Sequence, residues 1–481
     1  MSAAPLVLGV DSSTQSTKVE ARRIEDGKVV AQGHAPHPPT SPPVSEQDPV
    51  AWWDALRVAV EQLGDHRGDV VAMAVAGQQH GLVLIDADGW PVRAAKLWND
   101  STSAPEAHAL VDRLGAARWA AATGTVPVAS ITVTKLAWIA AHEPAALERT
   151  TRVMLPHDYL TWCLTGEHVT DRGDASGTGW YDAFGDRYVG ELLDAAGVDA
   201  HTWVDRLPRV LGPAEAVGTV TGEAAVTLGL PPDVIVGPGT GDNMGAALGL
   251  GLSAGDVAIS LGTSGVVFAV SSSPTHDPSG AVAGFASASG DFLPLVCTLN
   301  ATKVTDTVGR WLGAGLDECS AMALSAADEP GEAIVVPYFD GERTPNLPDA
   351  TGSLHGLTNA TTREQVALAA HDGVLCGLLD GLDALTAVGA STGGRRFLVG
   401  GGARSPAYRR RLADLSESAV IVPDADETVA TGAAVQAAMV SGHRRSDIAD
   451  RWMLGTGETI EPGHDATGRR ATYAAAIAQA Q

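Results

Sequence analysis

The sequence predicts an α/β protein made of two similar halves. The first half begins with a strand, a turn rich in Ser and Thr, and a second strand at residues 6–24, and the same order returns at residues 257–270. A strand that runs into a Gly-containing turn also occurs twice, at residues 70–81 and at residues 396–405. Repeated order of this kind indicates an ancestral duplication. We therefore expect two domains, residues 1–246 and residues 247–481.

The first predicted turn follows the apolar run Leu6 to Val10 and begins with Asp11. Hydroxyl side chains fill this turn up to Thr17, and a second strand resumes at Lys18. Backbone amides and hydroxyls in such a turn can hold phosphate oxygens. Asp11 is placed to hold Mg²⁺, because hard cations prefer oxygen ligands. A polar hairpin without function remains the alternative.

The next strand, residues 70–76, ends in a loop bracketed by Gly77 and Gly81. Gln79 and His80 in this loop can bond hydroxyl groups without placing a full charge in a site. A structural histidine is the alternative. Further on, Trp98 offers an aromatic face beside Asp100, which suits a sugar and would equally suit a packed corner. Residues 155–166 predict a helix, and residues 170–177 a polar loop.

The stretch at residues 237–245 carries four glycines and one carboxylate, Asp242, after a short apolar strand. A carboxylate at the end of a buried strand is a candidate general base. The alternative is that Asp242 caps the helix predicted from Asn243 to Leu250, because Asp is a favoured N-cap residue.

The second half repeats these elements. A strand at residues 257–261 precedes the turn 262–265 and a returning strand, and residues 362–387 have the spacing of an amphipathic helix. A strand at residues 396–399 runs into three glycines at 400–402, which let the backbone lie flat against a planar ring such as adenine. A tight helix–sheet contact is the alternative.

Composition excludes several classes of protein. The formal net charge of -25 opposes binding to nucleic acid or to an anionic membrane. It does not exclude a nucleotide, which local amides and a metal can bind. The four cysteines have neither metal-ligand nor redox spacing, and no signal peptide or membrane-spanning stretch is visible, so we expect a cytoplasmic protein. The oligomeric state stays open, with a homodimer among the options.

These motifs, in this order, resemble the FGGY family of carbohydrate kinases from Leu6 to about Met439. The resemblance implies an actin-like ATPase fold, in which two ribonuclease-H-like domains with mixed sheets surround a central nucleotide and sugar cleft. The segments that carry it lie at residues 9–18, 77–81, 97–100, 135–138, 158–166, 239–243, 262–265, 341–345, 400–406 and 431–434.

The resemblance also implies an activity: ATP-dependent phosphorylation of a ketopentose, D-xylulose to D-xylulose 5-phosphate, with Mg²⁺. Asp242 resembles the proton acceptor, and Asp11 the carboxylate near the metal and phosphates. The positions implied for sugar binding are Gln79, His80, Trp98, Asp100 and Asn243. The positions implied for the nucleotide are Ser12, Thr14, Thr17, Gly262, Thr263 and Ser264 at the phosphates, and Gly401, Gly402 and Ala403 along the adenosine.

Two other functions also fit these motifs, and a third is excluded by the glycine spacing. A kinase of the same family acting on ribulose, glycerol or another neutral sugar or polyol would share every phosphate motif. Gln79 stands where members acting on this ketose often carry Met, which leaves the preferred ketose open, whereas His371, where an apolar residue is usual, is expected to affect packing only. An actin-like ATPase switch that binds a protein partner is a second alternative. A dinucleotide-dependent oxidoreductase is discarded, because residues 237–241 have the spacing Gly-x-Gly-x-Gly and not the Rossmann fingerprint.

Overall fold

A computed structural model describes residues 4–424 and 427–480, which form two compact units. The first unit contains residues 4–252, 276–293 and 427–454, and the second contains residues 253–275, 294–424 and 455–480. Both units combine a sheet of parallel and antiparallel strands with helices, so the predicted α/β class with mixed sheets is confirmed. None of the described helices is long and apolar enough to cross a membrane.

The sheet of the first unit is built around strand Leu6–Ser12, in which every residue is buried. This strand runs antiparallel to Ser16–Arg23 and parallel to Val70–Gly77. A strand buried on both faces reads as a continuous apolar run, as Leu6 to Val10 does. The strands lie in the order Gly218–Thr219, Ile235–Val236, Val70–Gly77, Leu6–Ser12, Ser16–Arg23 and Val29–Pro36, and Thr240–Gly241 pairs with the end of Val70–Gly77.

Helix Thr428–Val440 packs closely against strand Leu6–Ser12, and helix Asp242–Gly249 packs against helix Thr428–Val440. Helix Thr428–Val440 lies so near Gly9 that a Cβ there would be 2.0 Å from the carbonyl oxygen of Ala430. A Cβ on Gly432 would lie 1.8 Å from the carbonyl oxygen of Gly245, in helix Asp242–Gly249. Glycine is required at both positions, because any larger residue would push the helices apart.

The remaining elements of the first unit surround this sheet. The other helices are Pro49–Glu61, Gly64–Asp69 (3₁₀), Ala104–Leu114, Ala116–Thr123, Thr132–His142, Pro144–Arg149, Pro156–Thr165, Arg172–Ala175, Gly190–Ala195, Ala200–Trp203, Val204–Arg206 (3₁₀), Gly222–Leu228 and Arg445–Arg451. The other strands are Glu46–Gln47, Val83–Ile85, Ala95–Lys96, Arg152–Met154, Val169–Asp171, Tyr181–Asp182, Arg187–Tyr188, Arg209–Leu211 and Ala283–Ala286.

The second unit repeats the central arrangement of the first. Strand Val257–Leu261 runs antiparallel to Gly265–Ala269 and parallel to Arg396–Val399, which confirms the predicted repeat of strand, turn and strand. The strands of its sheet lie in the order Phe292–Thr298, Gly265–Ala269, Val257–Leu261, Arg396–Val399, Val420–Pro423 and Gly457–Ile460, and Ile334–Val336 pairs with Ser353–His355. Its helices are Thr302–Leu312, Leu316–Ser325, Arg363–Ala387, Gly401–Arg404 (3₁₀), Pro406–Ser416 and Thr467–Ala480.

Candidate active site

The parallel strands of the first unit bring three predicted segments to one edge of its sheet. Ala76 pairs with Asp11 on one side and with Thr240 on the other. The Gln79 loop follows strand Val70–Gly77, which contains Ala76, and Asp242 follows strand Thr240–Gly241. Parallel strands end at the same edge of a sheet, which is where ligands of open α/β sheets bind. The ends of these strands therefore form the candidate site.

Asp242 is the first residue of helix Asp242–Gly249, and the N-cap position belongs to Gly241. The predicted alternative, that Asp242 caps this helix, is therefore wrong. Its Oδ1 accepts hydrogen bonds from the backbone N–H of Asn243 at 2.7 Å and from Asn243 Nδ2 at 2.9 Å. The side chain is half-buried, so a reacting group can reach it.

Asn243 connects Asp242 to the Gln79 loop. Its Nδ2 donates to Gln79 Oε1 at 2.8 Å, which fixes the orientation of the Gln79 amide. The Nε2 atom of Gln79 is buried and has no acceptor among the residues that the structure describes. A buried amide donor without a partner is costly. This donor is therefore available to a ligand oxygen, and Asn243 holds Asp242 and Gln79 together.

The two carboxylates of the site have raised pKa values. Burial and, to a smaller extent, the charge of Asp11 raise the pKa of Asp242 to about 7, against the opposite effect of the bonds from Asn243. Burial likewise raises the pKa of Asp11 to about 6, whereas Ser13 and Lys18 lower it. A general base works best when its pKa lies near the working pH. Asp242 meets that requirement.

His80 is held by residues from two other segments. Its Nδ1 lies 2.9 Å from the carbonyl oxygen of Gly177, so this nitrogen carries the proton and donates. A Cβ at Gly177 would lie 2.5 Å from the imidazole ring, whose centroid is 5.3 Å from that of Phe285. His80 also has a left-handed backbone with φ of 64°. This conformation is uncommon for a residue with a side chain and is frequent at functional sites.

The first Ser/Thr turn is bonded to Gln78 and Trp98. Thr14 Oγ1 donates to Gln78 Oε1 at 3.1 Å and accepts from Trp98 Nε1 at 2.9 Å. Ser13 Oγ donates to Asp11 Oδ1 at 2.6 Å. The turn borders a cavity of about 760 Å³ lined by Ser13, Thr14, Gln15, Ser16, Lys18, His34, His37, Pro38, Pro39, Thr40, Trp98 and Asn99.

Two other predicted residues of this turn lie inside the unit. The buried Thr17 hydroxyl lies 2.8 Å from His37 Nε2 and 3.4 Å from Ser12 Oγ. Ser12 is also buried. Their side chains have protein partners, and a phosphate contact through either hydroxyl stays a prediction.

Trp98 and Asp100 differ in their surroundings. Trp98 is 41% exposed and lines the cavity. Asp100 is buried, and its Oδ2 accepts from the backbone N–H of Ser45 at 2.9 Å. Its Oδ1 accepts from Lys96 Nζ at 3.3 Å and from the Thr102 N–H at 3.0 Å. These bonds give Asp100 a structural role, and its sugar contact stays a prediction.

In the second unit, the predicted nucleotide residues lie on two turns. Thr263 and Ser264 are exposed between the paired strands, and Gly262 N–H donates to Ser264 O at 3.0 Å. Gly401 is exposed, and a Cβ there would meet nothing within 4 Å. Gly402 is buried, and its Cβ would lie 2.7 Å from that of Leu261, as in the alternative of a tight packing contact. The neighbouring Ala403 is buried as well.

Sequence reasoning missed a buried ionic cluster behind the Asp242 loop. Residues 170–177, predicted as a polar loop, instead form the end of strand Val169–Asp171 and helix Arg172–Ala175, so that prediction was wrong. Asp171 and Asp174 from this segment surround His157 together with Asp158. The signal in the sequence was the number of carboxylates beside a histidine at a helix start.

The residues of the candidate site fit Mg²⁺ bound mainly by water and substrate phosphates, with few ligands from the protein. Among the described residues, no group of three or more His, Cys, Asp or Glu side chains could hold a metal ion. Mg²⁺ usually keeps several waters and is bound by one or two carboxylates plus substrate phosphates. Asp11, which is buried and near enough to Asp242 for their charges to repel, fits such a role.

Comparison with known proteins agrees with this arrangement. Residues 6–249 match the N-terminal domain of the FGGY family of carbohydrate kinases, and residues 257–441 match the C-terminal domain. The chain belongs to this family, and it is a carbohydrate kinase with the family's actin-like ATPase fold.

Three relatives illustrate the similarity. The chain is 49% identical to "Xylulose kinase" of Streptomyces rubiginosus, over 96% of this chain and 94% of the relative. The crystal structure of xylulose kinase from Bifidobacterium adolescentis has a TM-score of 0.87 and 39% identity, covering 98% of this chain and 99% of that one. A gluconate kinase from Lactobacillus acidophilus has a TM-score of 0.89 at 22% identity, covering 99% and 97%, and supports the fold alone.

Proposed function

We propose that this protein transfers the γ-phosphoryl group of ATP to D-xylulose, forming D-xylulose 5-phosphate, with Asp242 as the general base. The proposal rests on Asp242, Asn243 and Gln79, which lie together at one sheet edge. The pKa of Asp242 is raised to about 7, and the nearby Gln79 Nε2 is a buried amide donor without a partner among the described residues. The names of the relatives at 49% and 39% identity support the choice of ketose.

In this proposal, each residue contributes one part of the reaction. Asp242 accepts the proton of the sugar hydroxyl as that oxygen bonds to phosphorus. Gln79, His80 and Asn243 orient the sugar through neutral hydrogen-bonding groups, and Trp98 covers one face of it. Phosphoryl transfer depends mainly on positioning and charge stabilisation, so these orienting contacts matter as much as the base.

The proposed nucleotide contacts come from both Ser/Thr turns and from the glycine turn. Thr14, Thr263 and Ser264 would bond the phosphates, and the exposed backbone at Gly401 would lie along the adenosine. When bound at Asp11, Mg²⁺ would offset the charge on the phosphates. Sugar and ATP are the proposed partners, and the scattered cysteines support a reducing cytoplasm as the location.

A substrate panel tests the proposal. ATP consumption should be fastest with D-xylulose among ketoses, polyols and sugar acids, because a site matched to neutral hydroxyls rejects analogues that leave its groups unpaired. A clear preference for ribulose or glycerol would support the kinase activity and contradict D-xylulose as the substrate. Preference for a sugar acid by a wide margin, or stimulation only by a protein, would contradict the proposal.

A second prediction concerns Asp11. Asp11→Asn keeps the size of the side chain and removes its charge, so we expect a roughly 10²-fold loss of Mg²⁺-dependent turnover. The same change should stabilise the fold, because the pKa of the native carboxyl is raised from 3.8 to about 6. Because the native carboxyl resists ionisation, the free energy of unfolding decreases as pH rises from about 4 through 6. The decrease is up to about 3 kcal/mol at pH 8.

Chemical denaturation of both proteins at pH 8 and pH 5 measures this effect. We expect Asp11→Asn to be more stable than the unsubstituted protein at pH 8 and the difference to shrink at pH 5. A variant that is less stable at pH 8 would show that the turn needs the carboxylate for folding.

A further inference from the structure

A histidine surrounded by carboxylates lies inside the first unit. His157, on helix Pro156–Thr165, is fully buried. Its Nε2 lies 3.3 Å from Asp158 Oδ1, 3.4 Å from Asp171 Oδ1 and 3.4 Å from Asp174 Oδ2. Buried carboxylates without a counter-charge are costly, so one cation among three of them indicates that His157 is protonated.

The histidine contacts both strand ends that lead into the active site. A Cβ on Gly239 would lie 2.5 Å from His157 Nδ1, and one on Gly77 would lie 3.1 Å from His157 Cβ. Gly239 has a φ of 82°, so glycine suits this position for its backbone as well as for the close approach of the ring. The imidazole therefore packs against the Asp242 loop at Gly239, and the Cβ and backbone of His157 pack against Gly77, where the Gln79 loop begins.

A hydrogen bond joins the cluster to the Asp242 loop. Asp171 Oδ2 accepts from Thr240 Oγ1 at 3.0 Å and from the Gly173 N–H at 2.8 Å. Its Oδ1 accepts from the Asp174 N–H at 2.9 Å on the side that faces His157. Thr240 is two residues before Asp242. The position of the proposed base therefore depends on an acceptor whose charge His157 balances.

The electrostatics agree with this geometry. Burial lowers the pKa of His157, but the charges of Asp158, Asp171 and Asp174 raise it more, and the pKa lies at about 9. Burial raises the pKa of Asp158 to about 6, against the opposite effect of His157. Asp242 contributes to the raised pKa of Asp174, so the cluster and the proposed base share one electrostatic environment.

We propose that His157 is a positioning residue for phosphoryl transfer: its imidazolium balances Asp158, Asp171 and Asp174 and thereby holds Thr240 and the Asp242 loop in place. The inference rests on the proposed role of Asp242 as the base. His157 touches neither sugar nor nucleotide in this account, and its charge acts on the Asp242 loop through the Asp171–Thr240 bond.

The first test is His157→Gln, assayed with D-xylulose and ATP. We expect kcat to fall about 10- to 100-fold, because small misplacement of a reacting group has effects of that size. The KM for ATP should stay within about 2-fold, because the cluster touches none of the proposed nucleotide turns. His201→Gln, at an exposed histidine of the same unit, serves as the matched control and should keep full activity.

A double variant separates charge balance from packing. Asp158→Asn in the His157→Gln background removes one negative charge along with the positive one, and Asn can still accept the bond from Leu155 N–H. We expect it to recover at least 5-fold of the lost kcat. A folded His157→Gln enzyme with normal kcat would overturn the proposal, and so would a slow one that the second substitution does not rescue.

If His157→Gln does not fold, Thr240→Val provides the test, since it removes only the hydroxyl bonded to Asp171. A lowered kcat at constant KM for ATP would support the proposal, and an unchanged kcat would overturn it. Failure of the proposed function is distinguishable, because the unsubstituted protein would then show no activity on D-xylulose, or Asp242→Ala would remain fast.

Discussion

Replacing Asp242 by Ala is expected to lower kcat with D-xylulose by about 10²- to 10⁴-fold, the range for loss of a positioned general base. The KM for ATP should change little, because the proposed nucleotide contacts lie on the Ser/Thr turns and at Gly401. The KM for sugar should rise modestly, since Asp242 also accepts a hydrogen bond from the reacting hydroxyl. Slow ATP hydrolysis without sugar should persist. Initial-rate kinetics with either substrate varied measure all four quantities.

Stability measurements on the same preparation exclude an indirect effect. The pKa of Asp242 is raised from 3.8 to about 7, so its ionisation lowers the stability of the fold as pH rises from about 4 through 7, and Asp242→Asn should melt at or above the temperature of the unsubstituted protein at pH 8. A structural role would instead give a less stable protein with nearly normal turnover. A stable Asp242→Ala enzyme with normal turnover would show that Asp242 is not the general base.

The same carboxylate predicts the acid limb of the pH profile. A base must be unprotonated, and the pKa of Asp242 in the free enzyme is raised to about 7. kcat/KM for D-xylulose should therefore rise between pH 6 and pH 8 and level off above that range. The rise should disappear in the Asp242→Ala enzyme, measured with the sugar below its KM. An unchanged rise in that variant would assign this ionisation to another group.

Much of this architecture could be predicted because local patterns and the fold agree. The strands at residues 257–261 and 396–399 have the predicted bounds, since apolar runs bounded by glycine and polar turns leave little freedom. The predicted helix at 362–387 is Arg363–Ala387, where Thr362 forms a capping box with Gln365. The site roles of Gln79, Asp242 and Asn243 came from the family resemblance and stay predictions, and the structure places the three side chains together.

Other features depend on contacts that a linear pattern does not contain. The ion cluster at His157 joins two chain segments, and Asp171 and Asp174 were predicted in a polar loop because burial of charge is visible only in three dimensions. Helix Thr428–Val440 packs in the first unit, although it lies far along the chain. The domain boundary at residue 246 and the central cleft stay predictions.

The second unit contains a buried ion network, and its disruption should have the largest effect on stability. Arg411 Nε donates to Asp372 Oδ1 at 2.8 Å, and Arg411 Nη1 donates to Asp414 Oδ2 at 3.1 Å. Arg469 Nε donates to Asp372 Oδ2 at 2.8 Å. The network joins helix Arg363–Ala387 to the helices that carry the two arginines.

Arg411→Met should therefore destabilise the protein by about 3–5 kcal/mol, because it leaves the buried Asp414 without its arginine and Asp372 with Arg469 alone. Arg209→Met is the matched control: Arg209 pairs with Glu215 at 2.8 Å, but the side chains are 59% and 50% exposed. Such exposed pairs contribute about 0–1 kcal/mol. Denaturant unfolding of both variants at pH 7.5 makes the comparison. Equal losses would mean that Asp372 and Asp414 take up protons or water once Arg411 is gone, and that burial does not set the strength of this network.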